Sequence, residues 1–388
     1  MRNSFIASLR NCAKSLNVLE FGFSMIAICL VGGVFVVTIP VAQAQEIKTQ
    51  EKAAPSNATV PATVPATVPA TLPATVPATV PATVPATVPT TTPAPVSFQV
   101  MTIDLGCGCD RNTLSDQERL TRAKKMIEDF PADIIFVARG ECVAPALAAA
   151  THRTWIALPA VAAGAGVITT WSQSPAQQGE IWKGLGVRLA ASNGHEVVAF
   201  AIAFPFAPYQ PYQLSGVPHD EQPFLNSAEA AASSANTTRG LQSEKLAVAA
   251  RAATAAGFAV IAAGMVNEPS AGDWCDQAVA AELCPMRVAW PCVVTLERAG
   301  LRDAFRAAKP QVVLSPGATW PTIMLKRDRS DRVDFIFANT RLHCQSIEIL
   351  GESGAVSPRN PKPLAGGLPG EHRALLGQFQ WSETSAVK

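Results

Sequence analysis

Apolar and polar positions beyond residue 96 follow two patterns, which predict strands and helices. Short apolar or alternating runs bounded by Gly, Pro, Asn or Asp predict strands at residues 97–105, 133–137, 154–158, 166–171, 186–190, 196–204, 258–263, 333–338, 346–350 and 374–381. Longer runs, mostly rich in Ala and Leu, predict helices at residues 115–127, 142–150, 227–256 and 293–300. The first helix opens with a Ser115–Glu118 capping box, and Gly240 is a point at which the third can be interrupted. Many short strands with few helices between them predict an α+β domain in which helices cover two packed sheets.

The N-terminal segment has the pattern of a secretory signal peptide. Basic residues precede an apolar run at residues 21–39, and the small side chains of Ala42 and Ala44 fit a cleavage site after Ala44. The run is nearly long enough to span a membrane, so an uncleaved signal anchor is the alternative. We therefore expect residues 1–44 to direct export, and the rest of the chain to be secreted, periplasmic or associated with the cell envelope.

Residues 45–96 have the composition of a linker. Copies of the tetrapeptide ATVP fill residues 58–89, so proline recurs at every fourth position. Because proline lacks a backbone N–H and disfavours helix at the residue before it, this tract cannot form a core. We expect a disordered, semi-extended spacer that carries a single domain at residues 97–388.

The overall charge argues against nucleic acid as the main partner. The formal net charge is +1 at pH 7, and no segment carries a strong basic stripe. Nonspecific binding of nucleic acid depends on many Lys and Arg side chains that neutralise phosphates. We expect instead a phosphorylated small molecule or an envelope protein, and membrane contact only through an uncleaved signal anchor. The residues at 208–212 and the tryptophans either line a ligand groove or pack in the core.

A strand-end motif at residues 258–274 carries the most specific functional signal. Its sequence, FAVIAAGMVNEPSAGDW, resembles the G-D-F-N, E-P-S and D-W motifs of the endonuclease/exonuclease/phosphatase family. Further stretches resemble that family in the same order, at residues 101–104, 132–135, 208–212, 290–291, 299–306, 317–320, 332–337 and 370–373. The resemblance, which extends to secreted phosphatase-like members, implies a DNase I-like four-layer α/β/β/α sandwich with its site at one edge of the sheets.

The resemblance also implies metal-assisted hydrolysis of phosphoesters. In the family, side chains at strand ends hold a hard cation such as Mg²⁺, an Asp-x-Asn pair activates water, and two His residues stabilise phosphoryl oxygens. Three of these positions are replaced here: the metal-binding Glu by Arg139, the general-base Asp by Met265 and the strand His by Ala203. The remaining family positions hold Asn267, Asp334 and His372, with Asp104 in place of an Asn and Glu371 in place of the terminal Asp.

These replacements predict a pseudoenzyme with a binding or scaffolding role and no cofactor. General acid–base assistance alone is worth ~10²–10⁴ in rate, and the residue in place of the base cannot accept a proton. Arg139 is expected to pair with Asp104 or Glu371 across the vacated site, and the alternative is that it binds an anion. Without the base, His372 and Asp334 have structural roles as readily as functional ones.

Two other functions remain as hypotheses. A divergent phosphoesterase would hold Mg²⁺ or Mn²⁺ with Asp104, Glu371 and Glu141, if a shifted loop brought Glu141 to the site. It would use Asn267 and His372 in the reaction. Otherwise Glu141 is a solvated residue at the start of the following helix. A purely structural envelope component is the third hypothesis, and no site residue supports it.

The cysteines predict disulfides. Nine are present, and cleavage of the signal peptide leaves an odd number, so bridges are expected together with a thiol that is free or paired between chains. In the resembled fold the first two strand ends meet, which implies a bridge from Cys107 or Cys109 to Cys142. Cys275 and Cys284 flank a short turn and are candidates for a second bridge. A zinc site is the alternative for the first group, with the ligands Cys107, Cys109, Cys142 and His372.

Overall fold

The computed structural model describes residues 29–30, 33–34, 97–108, 113–159, 161–162, 164–175, 180, 182–219, 221–322, 329–351 and 362–382. Before residue 97 it describes two short strands, β1 (Cys29–Leu30) and β2 (Gly33–Val34), which pair antiparallel. The predicted signal peptide otherwise lies outside the described residues, and so does the predicted linker. No helix among the described residues is both long and apolar enough to cross a membrane.

The domain contains two mixed β-sheets and a set of helices between their strands. The strands are β3 (Ser97–Asp104), β4 (Ile134–Ala138), β5 (Thr154–Ala157), β6 (Gly166–Thr169), β7 (Ser172–Gln173), β8 (Gly186–Ala190), β9 (Glu196–Ala203), β10 (Ala259–Met265), β11 (Arg302–Asp303), β12 (Asp334–Ala338), β13 (Leu342–Gly351), β14 (Lys362–Pro363) and β15 (Ala374–Trp381). The helices are α1 (Asp116–Asp129), α2 (Ala144–Ala150), α3 (Gln210–Leu214), α4 (Ala228–Ala255), α5 (Asp276–Ala280), α6 (Pro291–Arg298) and α7 (Ala304–Ala308). One sheet has seven strands in the order β14-β13-β15-β3-β4-β6-β5, and the other has six in the order β11-β12-β10-β9-β8-β7.

Three apolar layers separate four layers of secondary structure. Alternate residues of a strand face opposite sides of its sheet, so Val100 joins the core between the two sheets while Met101 packs under α1 and α2. Helices α4 and α6 cover the outer face of the second sheet, where Leu246 and Leu296 pack against Phe337. The order of layers is helix, sheet, sheet, helix. The predicted α+β fold with a four-layer α/β/β/α sandwich is therefore confirmed.

Strand register determines which residues meet at the edge of each sheet. β3 and β4 are parallel, and Asp104 lies opposite Ala138 at their carboxyl ends. In the second sheet Met265 lies between Ala203 of the parallel strand β9 and Asp334 of the antiparallel strand β12. The strand ends of both sheets therefore carry the residues that the motif resemblance singled out.

The predicted elements agree with the structure except where they are very short or irregular. Helix α1 has the predicted capping box, and α4 continues through Gly240 without interruption. Strand β13 begins before the predicted residue 346, because an irregularity between Cys344 and Ser346 obscures its alternation. The one-turn helices and two-residue strands were not predicted, since so few residues leave no periodic pattern.

A buried ion network joins the loop after β10, the end of β11 and the residues just before β12. Arg332 is fully buried and pairs with Asp273 and Asp303, and its guanidinium lies 4.2 Å from the ring centroid of Phe335. Arg306 donates from Nε to Asp273 at 2.6 Å, so that carboxylate is shared by two cations. These contacts join the D-W motif to the segment at residues 332–337, which also resembles the family.

We predict that Arg332→Ala lowers the free energy of unfolding by about 3–5 kcal/mol, because it leaves buried carboxylates without their cation. Urea unfolding followed by circular dichroism measures the change. The matched control is Arg287→Ala, whose partner Asp276 is also exposed and whose loss should have little effect. Equal stability of the two variants would contradict the importance of the buried network.

Candidate functional site

The candidate site lies where the ends of β3 and β4 meet the segment at residues 370–373. Asp104 ends β3, Arg139 follows β4, and Glu371 and His372 come from the segment before β15. Of these four residues the sequence predicted three as ligand or catalytic positions and the fourth as a replaced ligand. The structure brings all of them together.

The guanidinium of Arg139 lies between the two carboxylates that the sequence proposed as metal ligands. Its Nε donates to Asp104 Oδ1 at 2.8 Å, its Nη2 donates to Asp104 Oδ2, and its Nη1 donates to Glu371 Oε1 at 3.1 Å. The first two contacts form a bidentate pair, the geometry in which Arg binds a carboxylate best. Arg139 thus places a positive charge between the two carboxylates.

The backbone around Asp104 completes its hydrogen bonding. The N–H of Gly106 donates to Oδ1 at 3.0 Å and the N–H of Glu371 donates to Oδ2 at 3.2 Å. Each oxygen therefore has two donors, which uses the four acceptor positions of a carboxylate. The close approach depends on Gly370, because a Cβ there would lie 2.4 Å from Asp104 Oδ2.

Charge and burial act in opposite directions on Asp104. Burial raises the pKa of Asp104. The charges of Arg139 and His372 and the hydrogen bonds from Arg139 and Gly106 lower this pKa by more than burial raises it, so the net pKa is below the ordinary 3.8. Asp104 is therefore an ionised carboxylate at neutral pH.

His372 and Asp334 form a second buried pair beside the first. His372 Nδ1 lies 2.8 Å from Asp334 Oδ2, and both residues are almost fully buried. Burial lowers the pKa of His372, whereas the charge and hydrogen bond of Asp334 and the charge of Asp104 raise it to a net value above 6.5. The Asp334 backbone N–H donates to Thr319 Oγ1 at 3.1 Å, which holds the end of β12. The pair links the edges of the two sheets.

This donor set does not fit a divalent cation. The acceptor positions of Asp104 are filled, and Arg139 places a positive charge where the cation would bind. Glu141 is exposed at the turn before α2, and its carboxylate lies beside Gly164 rather than beside Asp104. Among the described residues, no three His, Cys, Asp or Glu side chains are grouped closely enough to hold a metal ion.

The second sheet contributes no acid or base at the replaced positions. Met265 is buried between Ala203 and Asp334. Asn267 has a positive φ of 58° and its Nδ2 donates to the Phe204 carbonyl at 2.6 Å, so its amide holds the strand-end turn. Arg139 also has a positive φ, of 47°. Such conformations cost of order 1–3 kcal/mol and concentrate at functional sites.

Another network, which the sequence did not predict, holds the loop after β9. Arg239 of α4 is fully buried and donates to the carbonyls of Pro205, Phe206 and Pro208. Its Nη1 also lies 3.8 Å from Glu268, and burial raises the pKa of Glu268 to about 7 despite this charge. Arg239 lies in a long Ala-rich helix with no motif around it, so its sequence context carried no signal.

The aromatic residues near the site are packing residues. Tyr209 and Tyr212 are 3% and 1% exposed, and their rings lie 5.2 and 5.5 Å from the ring of Trp320. Trp320 in turn lies 6.1 Å from the ring of His372. Tyr209 donates its hydroxyl to buried Asp331. Of the two readings of residues 208–212, the structure supports packing for the tyrosines.

The cysteines match one of the two predicted bridges. Cys107 and Cys142 form a disulfide between the segments that follow β3 and β4, which confirms that prediction, while Cys109 lies outside the described residues. Cys275 and Cys284 are unbridged thiols that pack around Trp274 and Trp290, so the second predicted bridge was wrong. The alternative zinc site was also wrong, because the disulfide consumes two of its ligands and His372 pairs with Asp334.

No family model matches the chain. An uncharacterized protein of Caenorhabditis elegans is 30% identical over 129 residues, which are 31% of this chain and 40% of that protein, so the match spans less than half of its length.

Solved structures of low identity are similar to most of the chain. A 3′ phosphatase NExo from Neisseria, bound to a product DNA hairpin, is 14% identical and covers 73% of this chain and 100% of its own, with a TM-score of 0.45. An endonuclease/exonuclease/phosphatase from Bacteroides vulgatus is 12% identical over 74% of this chain and 100% of its own, with a TM-score of 0.46. Truncated TDP2 of Caenorhabditis elegans is 14% identical over 73% of this chain and 97% of its own, with a TM-score of 0.41. The four-layer α/β/β/α fold itself rests on the layers and strand order described above.

We predict that Arg139→Glu creates a divalent-cation site, because it exchanges the guanidinium for a third carboxylate beside Asp104 and Glu371. Mn²⁺ at ten times its dissociation constant would then stabilise the variant by about 1.4 kcal/mol, seen as a rise in melting temperature that EDTA reverses. Arg139→Gln is the control that removes the cation without adding a ligand. Stabilisation of the unaltered protein by Mn²⁺ to the same extent would contradict this account.

The His372–Asp334 pair generates a second prediction. The pKa of His372 is higher in the folded state than in the unfolded state, where it is about 6.5. Protonated His372 therefore stabilises the fold fully at a pH below 6.5, and this contribution is lost as the pH rises through the folded-state pKa. Asp334→Asn should lower the pKa of His372, measured by NMR titration of the imidazole, and remove this pH dependence. Glu128→Gln, at an exposed site, should change neither. An unaltered titration in Asp334→Asn would refute the pairing.

Proposed function

We propose that this chain is an exported domain of phosphoesterase ancestry that has lost hydrolysis and acts by binding or scaffolding. The observation that carries the proposal is the guanidinium of Arg139 between Asp104 and Glu371. This guanidinium supplies the positive charge that a metal ion supplies in the resembled family. It does not supply the catalytic chemistry of a metal ion.

A guanidinium cannot substitute for a metal ion in hydrolysis. A bound cation lowers the pKa of water and polarises a phosphoryl oxygen through open coordination positions, whereas the donors of Arg139 are directed at two carboxylates. Displacing the guanidinium would leave its charge without partners in a site where Arg139 is only 16% exposed. Such separation of a largely buried pair is strongly unfavourable.

The absence of a general base at position 265 supports the same conclusion. The buried thioether of Met265 accepts no proton at neutral pH, and Asn267 uses its amide to hold the Phe204 carbonyl. The nearest titratable residues, His372 and Asp334, are hydrogen-bonded to each other. Loss of acid–base assistance costs ~10²–10⁴ in rate, in addition to the loss of the metal.

Export is part of the proposal. The basic, apolar and small-residue pattern of residues 1–44 favours secretion, with the protein secreted, periplasmic or held at the envelope. The Cys107–Cys142 disulfide supports an oxidising compartment, since such bridges are rare in the cytosol. The ATVP tract would then hold the domain away from its point of attachment, where an envelope protein or a phosphorylated small molecule is the partner we favour.

We predict no metal-dependent turnover. The full chain is assayed with p-nitrophenyl phosphate and bis(p-nitrophenyl) phosphate in Mg²⁺, Mn²⁺ or EDTA, beside the Glu371→Ala variant. The expected rates of the two proteins are equal, because Glu371 holds Arg139 and no metal ion. Circular dichroism checks that both proteins are folded.

The opposite outcome would support the divergent phosphoesterase. Turnover that requires Mg²⁺ or Mn²⁺ and disappears in Glu371→Ala would make Asp104 and Glu371 metal ligands and would restore catalytic roles to Asn267 and His372. Turnover unaffected by the variant and by EDTA would point to a contaminating hydrolase.

A further inference from the structure

A buried arginine of α4 holds the loop that follows β9, residues 204–209, which we call the β9 loop. Arg239 Nε donates to the Pro205 carbonyl at 2.7 Å, and its Nη2 donates to the carbonyls of Phe206 and Pro208. Arg239 is fully buried, whereas Phe206 is 55% exposed. The position of this partly exposed loop therefore depends on a contact that solvent does not reach.

The same guanidinium faces a carboxylate without completing an ion pair with it. Arg239 Nη1 donates to Gln210 Oε1 at 2.7 Å, which leaves one of the five N–H donors, also on Nη1. That nitrogen lies 3.8 Å from Glu268 Oε2, beyond the range of about 2.7–3.2 Å for an N–H···O hydrogen bond. Oε2 is buried and has no hydrogen-bond partner among the residues that the structure describes. A donor and an acceptor thus face each other at a distance too long for a bond.

Only one group in this cluster changes its charge near neutral pH. Burial raises the pKa of Glu268 to about 7, and the charge of Arg239 and the hydrogen bonds from Cys292 lower it by less. Burial also raises the pKa of the Cys292 thiol of α6 and of the Tyr209 hydroxyl, so both are neutral in this range. Arg239 keeps its charge throughout. The electrostatics of the cluster therefore follow the protonation of Glu268.

We propose that Glu268 and Arg239 form a pH-sensitive latch on the β9 loop. With Glu268 neutral, the guanidinium keeps the three bonds to loop carbonyls that the structure shows. With Glu268 ionised, Oε2 attracts the remaining N–H of Nη1, and a hydrogen bond forms after a movement of about 0.6 Å or more. Because the guanidinium is planar and rigid, the same movement displaces Nε and Nη2 and weakens their bonds to the loop.

The latch predicts how stability depends on pH. Since the pKa of Glu268 is above its ordinary 4.5 in the folded protein, neutral Glu268 stabilises the fold fully at a pH below 4.5, and this contribution is lost as the pH rises through about 7. Glu268→Gln is neutral at every pH and lacks this dependence. Between pH 4.5 and pH 8 the unfolding constant of the unaltered chain should therefore rise about 10²-fold relative to that of the variant.

NMR titration of the full, ¹⁵N-labelled chain tests the latch directly. We expect the backbone N–H signals of Phe206 and Ala207 and the Nε–H signal of Arg239 to shift together, with a midpoint near pH 7. In Glu268→Gln these signals should stay at their low-pH positions. The matched control is Glu244→Gln, which alters an exposed glutamate on the same helix and should leave the midpoint unchanged.

A ¹³C titration of the Glu268 carboxyl in the unaltered chain completes the test, and it does not depend on the folding of any variant. A carboxyl that shows no midpoint between pH 5.5 and pH 8.5 overturns the proposal. A midpoint of the loop signals that persists in folded Glu268→Gln also overturns it, because another group would then control the loop.

Discussion

The edge of the first sheet depends on one ionic contact, the guanidinium of Arg139 between Asp104 and Glu371. Two carboxylates approach the same small volume there, and without a cation between them their repulsion would separate the end of β3 from the segment before β15. Gly370 is needed for the same approach, because any side chain at that position would collide with Asp104. The geometry of this edge therefore requires a positive charge, and an arginine supplies it from within the chain.

A covalent bond reinforces this arrangement. The Cys107–Cys142 disulfide joins the two segments that begin just after Asp104 and Arg139, and the Cys107 backbone N–H donates to the Arg139 carbonyl at 3.0 Å. A metal site holds its strand ends only while metal is bound. Here a guanidinium and a disulfide within the chain hold the segments after β3 and β4 together.

The sequence pattern predicted local elements, and the family resemblance predicted the distant contacts of Arg139 and Cys142, but distant contacts outside the motifs were missed. The apolar run of β10 and the Ser115–Glu118 box of α1 specify their elements within a few residues of chain. Arg239 and Asp331 have partners that only the fold brings close: the loop carbonyl of Pro205 for Arg239 and the Tyr209 hydroxyl for Asp331. No residue spacing along the chain predicts these contacts. The Cys275–Cys284 prediction failed for a related reason, because proximity along a turn does not establish bonding geometry.

The motif residues divide into two groups according to what they contact. Asp273, Glu268 and Arg332 retain the family residue type, and each is buried in an ionic or hydrogen-bonded network whose disruption would destabilise the fold. Arg139 and Met265 depart from it, and they occupy positions whose role in the resembled family is chemical. A chain that needed its fold but not hydrolysis would keep the first group and lose the second.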